Sequence, residues 1–173
     1  LSWLEKNFET AGGMGGADLY FYYGIERVGL ASGMKYFGDK DWYKIVGKKI
    51  LNSQAADGSW NCHGTVVGTG YALLFLIRGR APLLFNKLQF ASLDEKKKPL
   101  LSDWNCRPRE LAHLCAWLGE VYEKTINWQV INTKVPVSEW HDAPILYISG
   151  YRRPNFAPQE IEKLRQYVLQ GGT

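Results

Sequence analysis

The sequence predicts an all-α first half joined to an α/β second half. Three observations predict it. Before residue 85 no alternating strand pattern appears, and apolar residues recur at helical spacing between glycine loops. After residue 85 the order strand, helix, strand, strand, helix can be read, which is how an α/β layer begins. Near the change lies the polar, proline-containing stretch Asp94 to Pro99, so a domain boundary is expected between about residues 80 and 100.

In the first half, Ser2 to Phe8 reads as the end of a helix, followed by the loop Ala11-Gly12-Gly13-Met14-Gly15-Gly16. Asp18 can accept from the free amides of a first turn and caps a helix expected to run to about Phe37. That helix holds Gly24, Gly29 and Gly33. An interior glycine costs about 1 kcal/mol against alanine, so three on roughly one side predict close contact with another helix or with aromatic rings. Asp39 or Asp41 then caps a helix from Trp42 to Gln54, and an apolar helix covers Val66 to about Arg78.

In the second half, Lys87 to Ala91 has the short alternation of a strand. Pro108 stands near the start of a helix whose stripe is Leu111, Leu114, Cys115, Leu118, Val121 and Tyr122. Trp128 to Asn132 and Pro144 to Ser149 read as strands. Pro158 opens a last helix, expected to turn Ile161, Leu164 and Val168 inward and to close at Gly171-Gly172.

Composition excludes several classes. The 173 residues are 46% hydrophobic and 22% charged, as in ordinary globular proteins, although aromatics reach 14%. The longest apolar run, Tyr71 to Ile77, is far short of the roughly 20 residues that span a membrane. The net charge of +4 is mild and its basic residues are scattered, apart from Lys96-Lys97-Lys98, so no nucleic-acid footprint is read. Cys62, Cys106 and Cys115 have neither paired spacing nor the density of a disulfide scaffold, and read as free thiols. The chain opens on Leu1, and its length suits two part-domains of a longer protein.

Two resemblances follow from particular residues. Tyr22-Tyr23-Gly24-Ile25-Glu26-Arg27-Val28-Gly29, then Asp41-Trp42-Tyr43, then Gln54-Ala55-Ala56-Asp57-Gly58-Ser59-Trp60 resemble the repeat of the squalene cyclase and protein prenyltransferase superfamily. Gln54, Gly58 and Trp60 stand at its Gln…Gly-x-Trp signature, and Ala72-Leu73-Leu74-Phe75-Leu76 resembles its inner helix. The resemblance implies that residues 1–85 are the last hairpins of an α/α toroid, with Gln54 and Trp60 in structural roles at a helix end. Residues 86–173 resemble the start of the domain of unknown function 4159, itself similar to glutamine-amidotransferase-like, flavodoxin-type α/β domains. The matching residues are Trp104-Asn105-Cys106-Arg107-Pro108, Asn127-Trp128-Gln129, Asp142 to Gly150, and Leu164 to Val168 ending in Gly171-Gly172-Thr173. A toroid followed by this domain resembles large bacterial envelope-type proteins, whose remaining chain would be the first partner of this segment.

The chemistry these relatives would need is mostly missing. Asp39-Lys40-Asp41-Trp42 lacks the adjacent aspartates of a cyclase acid motif and reads as a cap. The repeat often has an Asp before its inner-helix Thr, where this chain has Gly68-Thr69. Asp57, Cys62 and His63 are zinc-ligand types, but adjacent residues seldom face one metal, and no metal or other cofactor is expected. The loop at 12–16 lacks the Lys-Ser/Thr end of a phosphate loop. Ser138, His141 and Asp142 lie too close in sequence for a triad, and His113 falls on the polar side of its helix.

One site expectation remains. Ligands of open α/β sheets bind beyond the carboxyl ends of the strands. Asn105 and Arg107 would follow the first strand, and Gly150, Tyr151 and Arg152, with Arg153, the strand ending at Ser149. Gly150 allows close backbone approach and Arg152 suits a carboxylate or phosphate. The leading expectation is a binding or assembly module taking a small apolar or anionic ligand. The alternatives are a cyclase-like or prenyltransferase-like enzyme with catalytic residues upstream, and amidotransferase-like chemistry completed downstream.

Overall fold

The computed structural model describes residues 2–8, 18–78, 81–96 and 98–173. The glycine loop at 12–16 and Lys97 lie outside the described residues. The chain divides into two units, Leu1–Ala81 and Pro82–Thr173.

The first unit contains α1 (Ser2–Asn7), α2 (Asp18–Ser32), a short antiparallel ribbon of β1 (Tyr36–Phe37) and β2 (Lys40–Asp41), α3 (Trp42–Asn52) and α4 (Thr65–Arg78). The expected continuation of α2 to Phe37, and an all-α first half, are therefore corrected. Gly33 takes φ 71° and donates to the Gly29 carbonyl at 2.9 Å, which ends the helix at a left-handed residue and frees Tyr36 and Phe37 to pair as a ribbon. Of the two candidate caps it is Asp41 that caps α3, its Oδ1 accepting from the Lys44 amide at 3.0 Å. The core gathers Leu19, Tyr22, Ile25, Phe37, Trp42, Val46, Ile50, Trp60, Ala72 and Phe75. Close contact accounts for Gly29 alone among the three glycines, since a Cβ there would run into the Trp42 indole. Gly24 faces open space, and Gly33 serves the turn.

The second unit is built on a parallel sheet in the order β6-β3-β7, from β3 (Leu83–Gln89), β6 (Asn127–Asn132) and β7 (Ile145–Tyr147). The central strand begins four residues before the expected Lys87. Its alternate residues serve two faces: Phe85 packs with Leu111 and Cys115 of α5 (Glu110–Tyr122), while the Asn86 Nδ2 donates to the Trp140 carbonyl of α6 (Val137–Trp140) at 2.6 Å. A strand covered on both faces reads as a nearly continuous apolar run rather than an alternation, which is why its first half was not legible. A hairpin of β4 (Ser92–Leu93) and β5 (Pro99–Leu100) encloses the polar stretch after β3.

The last helix, α7 (Pro158–Leu169), begins at its proline as expected, but a different face turns inward. Ile161 and Val168 are 55% and 64% exposed, whereas Tyr167 is 1% exposed, its hydroxyl 3.0 Å from the Pro144 carbonyl. Val121 and Tyr122 at the end of α5 are likewise exposed rather than part of the inward stripe. Gly172 leaves room for the Tyr167 ring, which a Cβ there would strike. Thr173 then bonds on both sides of Ile145: its amide donates to the Pro144 carbonyl at 3.1 Å, and its carbonyl accepts from the Leu146 amide at 2.7 Å. That is the hydrogen-bond pattern of a parallel ladder along the edge of β7. Among the described residues no helix is long and apolar enough to cross a membrane.

Candidate functional site

From β3 the chain crosses through α5 to β6 on one side, then returns past β3 to pair with it on the other as β7. Where successive crossovers diverge, the loops at the carboxyl ends of the two central strands part and leave a crevice. At that edge of β3 and β7 stand the 3₁₀ turn Asp103–Asn105 with the residues after it, the first turn of α5, and the segment 149–153.

Lys87, near the end of β3, is the centre of this edge. Its side chain is 1% exposed, and a buried ammonium needs an acceptor for each proton. It has three: Glu110 Oε1 at 2.9 Å, Asn105 Oδ1 at 3.1 Å and the Arg107 carbonyl at 3.1 Å. The Trp104 ring lies 5.7 Å from the same nitrogen. One side chain thereby fastens the 104–107 turn and the start of α5 to the central strand. Glu110 also accepts from the Ser149 hydroxyl at 2.7 Å. Burial works against its charged form, but the bonds from Lys87 and Ser149 outweigh it and hold the carboxyl below the usual range. Burial, and then the charge of Glu110, push the neighbouring Tyr147 phenol up.

Asp103 makes a second junction. It accepts from the Ser92 hydroxyl at 2.7 Å and from the Tyr151 and Arg152 amides at 3.3 and 3.2 Å. The Ser92 bond is the chief reason its carboxyl sits below the usual range. Gly150 passes so close that a Cβ would stand 2.8 Å from Asp103 Oδ2, so the expected close backbone approach is made, toward this carboxylate. The Arg107 guanidinium lies 5.9 Å from the centre of the exposed Tyr151 ring, and Arg152 and Arg153 are exposed beside it.

The structure thus brings Asn105, Arg107, Gly150, Tyr151 and Arg152 to one edge. Sequence reasoning missed Lys87, Asp103, Glu110 and Ser149 there. For Lys87 a signal existed: a lysine inside the run Leu83-Leu84-Phe85-Asn86-Lys87-Leu88 is either misassigned or paired. The other three gain their roles from contacts distant in sequence.

The remaining candidates fall elsewhere. In the first unit the Gln54 Nε2 donates to the Gly58 carbonyl at 2.9 Å, closing its own loop, with Gly58 at φ 85°. The helix-end carbonyl is met instead by Trp60, whose Nε1 donates to Ile50 O at 2.7 Å. Asp57 accepts from the Ser59 hydroxyl and amide, and those bonds lower its carboxyl. Cys62 is buried while His63 is exposed, and among the described residues no group of three His, Cys, Asp or Glu converges as a metal site. In the second unit His141 bonds Gln170 at 2.9 Å and packs on the Tyr167 ring at 4.7 Å, away from Ser138 of α6.

Residues 89–173 match the family model of a domain of unknown function (DUF4159). The matched stretch holds the whole candidate edge except Lys87, which lies two residues before it. No curated protein and no solved structure matches the chain.

Proposed function

We propose that the second unit is a ligand-binding module whose site is the carboxyl edge of β3 and β7, taking a small anion. The observation that supports this most is the convergence of three separated segments at the divergence of the crossovers. Asn105 and Arg107 are pinned there through Lys87, and Tyr151 and Arg152 through Asp103. The Lys87 charge is neutralised by Glu110, while the guanidinium groups of Arg107 and Arg152 stand at the exposed rim, Arg152 beside the Asp103 carboxylate. An arginine fork suits a carboxylate or phosphate better than a point charge does.

The order β6-β3-β7, second strand then first then third, is also how a flavodoxin-like sheet starts, and it supports the flavodoxin-type, amidotransferase-like reading of this unit. The Gln54–Gly58–Trp60 loop between α3 and α4 supports the reading of the first unit as hairpins of an α/α toroid. So does the exposed stripe Val66, Leu73 and Ile77 on α4, since such hairpins bury their faces against neighbours.

Calorimetric titration of the chain with phosphate and with acetate tests the binding reading. Binding that weakens about fivefold or more in Arg152→Gln supports it, that being the order of one exposed ionic contact of about 1 kcal/mol. Absence of binding by either anion at millimolar concentration refutes it.

A further inference from the structure

Directly beyond the rim arginines lies a groove of about 620 Å³, lined by Leu93, Arg153, Pro154, Asn155, Phe156 and Ile161. Its size falls in the range of small-molecule sites. Four of the six lining residues are apolar, and the remaining polar groups are one guanidinium and one amide. Ile161, 55% exposed on the first turns of α7, is an apolar side chain standing at this groove rather than in the core.

The walls are fixed. Ser92 and Pro154 form an antiparallel bridge, the Asn155 amide donates to the Ala91 carbonyl at 3.0 Å, and Phe156 rests on Phe90 with ring centres 5.5 Å apart. Ser92 is also the residue whose hydroxyl bonds Asp103, and Asp103 holds the Tyr151 and Arg152 amides. Groove and rim are therefore one connected surface, apolar along Leu93, Phe156 and Ile161 and cationic at Arg152 and Arg153. Glu160, in the first turn of α7, is engaged by the Ala157 amide at 2.8 Å.

We infer that the ligand of this edge is an amphipathic anion: a carboxylate held at Arg152 and Arg153 whose aliphatic chain lies along Leu93, Phe156 and Ile161. This rests on the binding reading above and adds the apolar body that a simple anion lacks. Burying one methylene raises affinity about fourfold, so octanoate should outbind butanoate more than tenfold if two of its extra methylenes are covered.

The test is calorimetric titration of the chain with butanoate, hexanoate, octanoate and 1-octanol, repeated on Arg153→Gln and Ile161→Ser, both at exposed positions. Affinity should climb with chain length, octanol should bind more weakly than octanoate, Ile161→Ser should flatten the climb, and Arg153→Gln should erase the preference for octanoate over octanol. Equal affinity for butanoate and octanoate, still weakened by Arg152→Gln, would overturn this inference and leave the anion site standing. Octanol binding as tightly as octanoate would overturn the anionic half of the pairing. Binding of none of the carboxylates would overturn this inference, and failure of phosphate as well would overturn the anion reading on which it rests.

Discussion

Replacing Lys87 by methionine keeps an unbranched side chain, one atom shorter, and removes its charge. Three acceptors then lose their donor: Glu110 Oε1, Asn105 Oδ1 and the Arg107 carbonyl. Stripping one partner from a fully buried ion pair costs about 3–5 kcal/mol. The Glu110 side chain is 17% exposed, so water can recover part of that loss, while the two neutral acceptors add about 1 kcal/mol each if they stay dry. The balance is about 3 kcal/mol, a drop on the order of a hundredfold in the folded-to-unfolded ratio. A cycle with Glu110→Gln should assign about 2 kcal/mol of this to the pair itself. Native-state hydrogen exchange at the β3 amides reads the second unit separately from the first. Acidity adds a check. The Glu110 carboxyl is lowered on folding, so its contribution is present above the ordinary glutamate value of about 4.3 and is lost as pH falls through the lower folded value. The gap between the native chain and Lys87→Met should therefore narrow through that acid window. A cost under about 1 kcal/mol, or a coupling under about 0.5 kcal/mol, would refute the account of Lys87 as the fastening of this edge.

Two further predictions concern single side chains. Gly29→Ala should destabilise the first unit by about 1–3 kcal/mol, because the new methyl meets the Trp42 indole. Gly24→Ala, in the same helix but facing open space, should stabilise it by about 0.5–1 kcal/mol, and equal effects in thermal unfolding would sink the distinction. Burial pushes the Cys115 thiol up to about 11, whereas Cys106 is half-buried in the 103–107 turn. Labelling by a thiol reagent at pH 8 should thus be at least about tenfold slower at Cys115 than at Cys106, and comparable rates would show that α5 opens readily.

Much of the element order was legible because local signals agreed with the fold. Asp41 caps α3, Pro158 starts α7, and the loops after β3 and β7 carry Asn105, Arg107 and Gly150–Arg152 as expected. What escaped has physical causes. The end of α2 depends on Gly33 taking a left-handed conformation, which glycine permits but does not announce. In α7 the inward face of Tyr167 and Leu164 also carries Glu160 and Lys163, so apolar periodicity favours the exposed stripe of Ile161 and Val168 instead. Ser149 and Glu110 are 39 positions apart yet share a hydrogen bond, and their meeting follows from a strand order that no local pattern encodes.

Asp103 binds Ser92 of the hairpin after β3 and two consecutive amides of the segment after β7 through one carboxylate. If the turn that carries Asp103 moves, both segments lose the same charged acceptor. A local opening that displaces this turn therefore loosens both loops together. A molecule that steadies the Asp103 turn steadies the anchor of both loops at once, whichever side it arrives from.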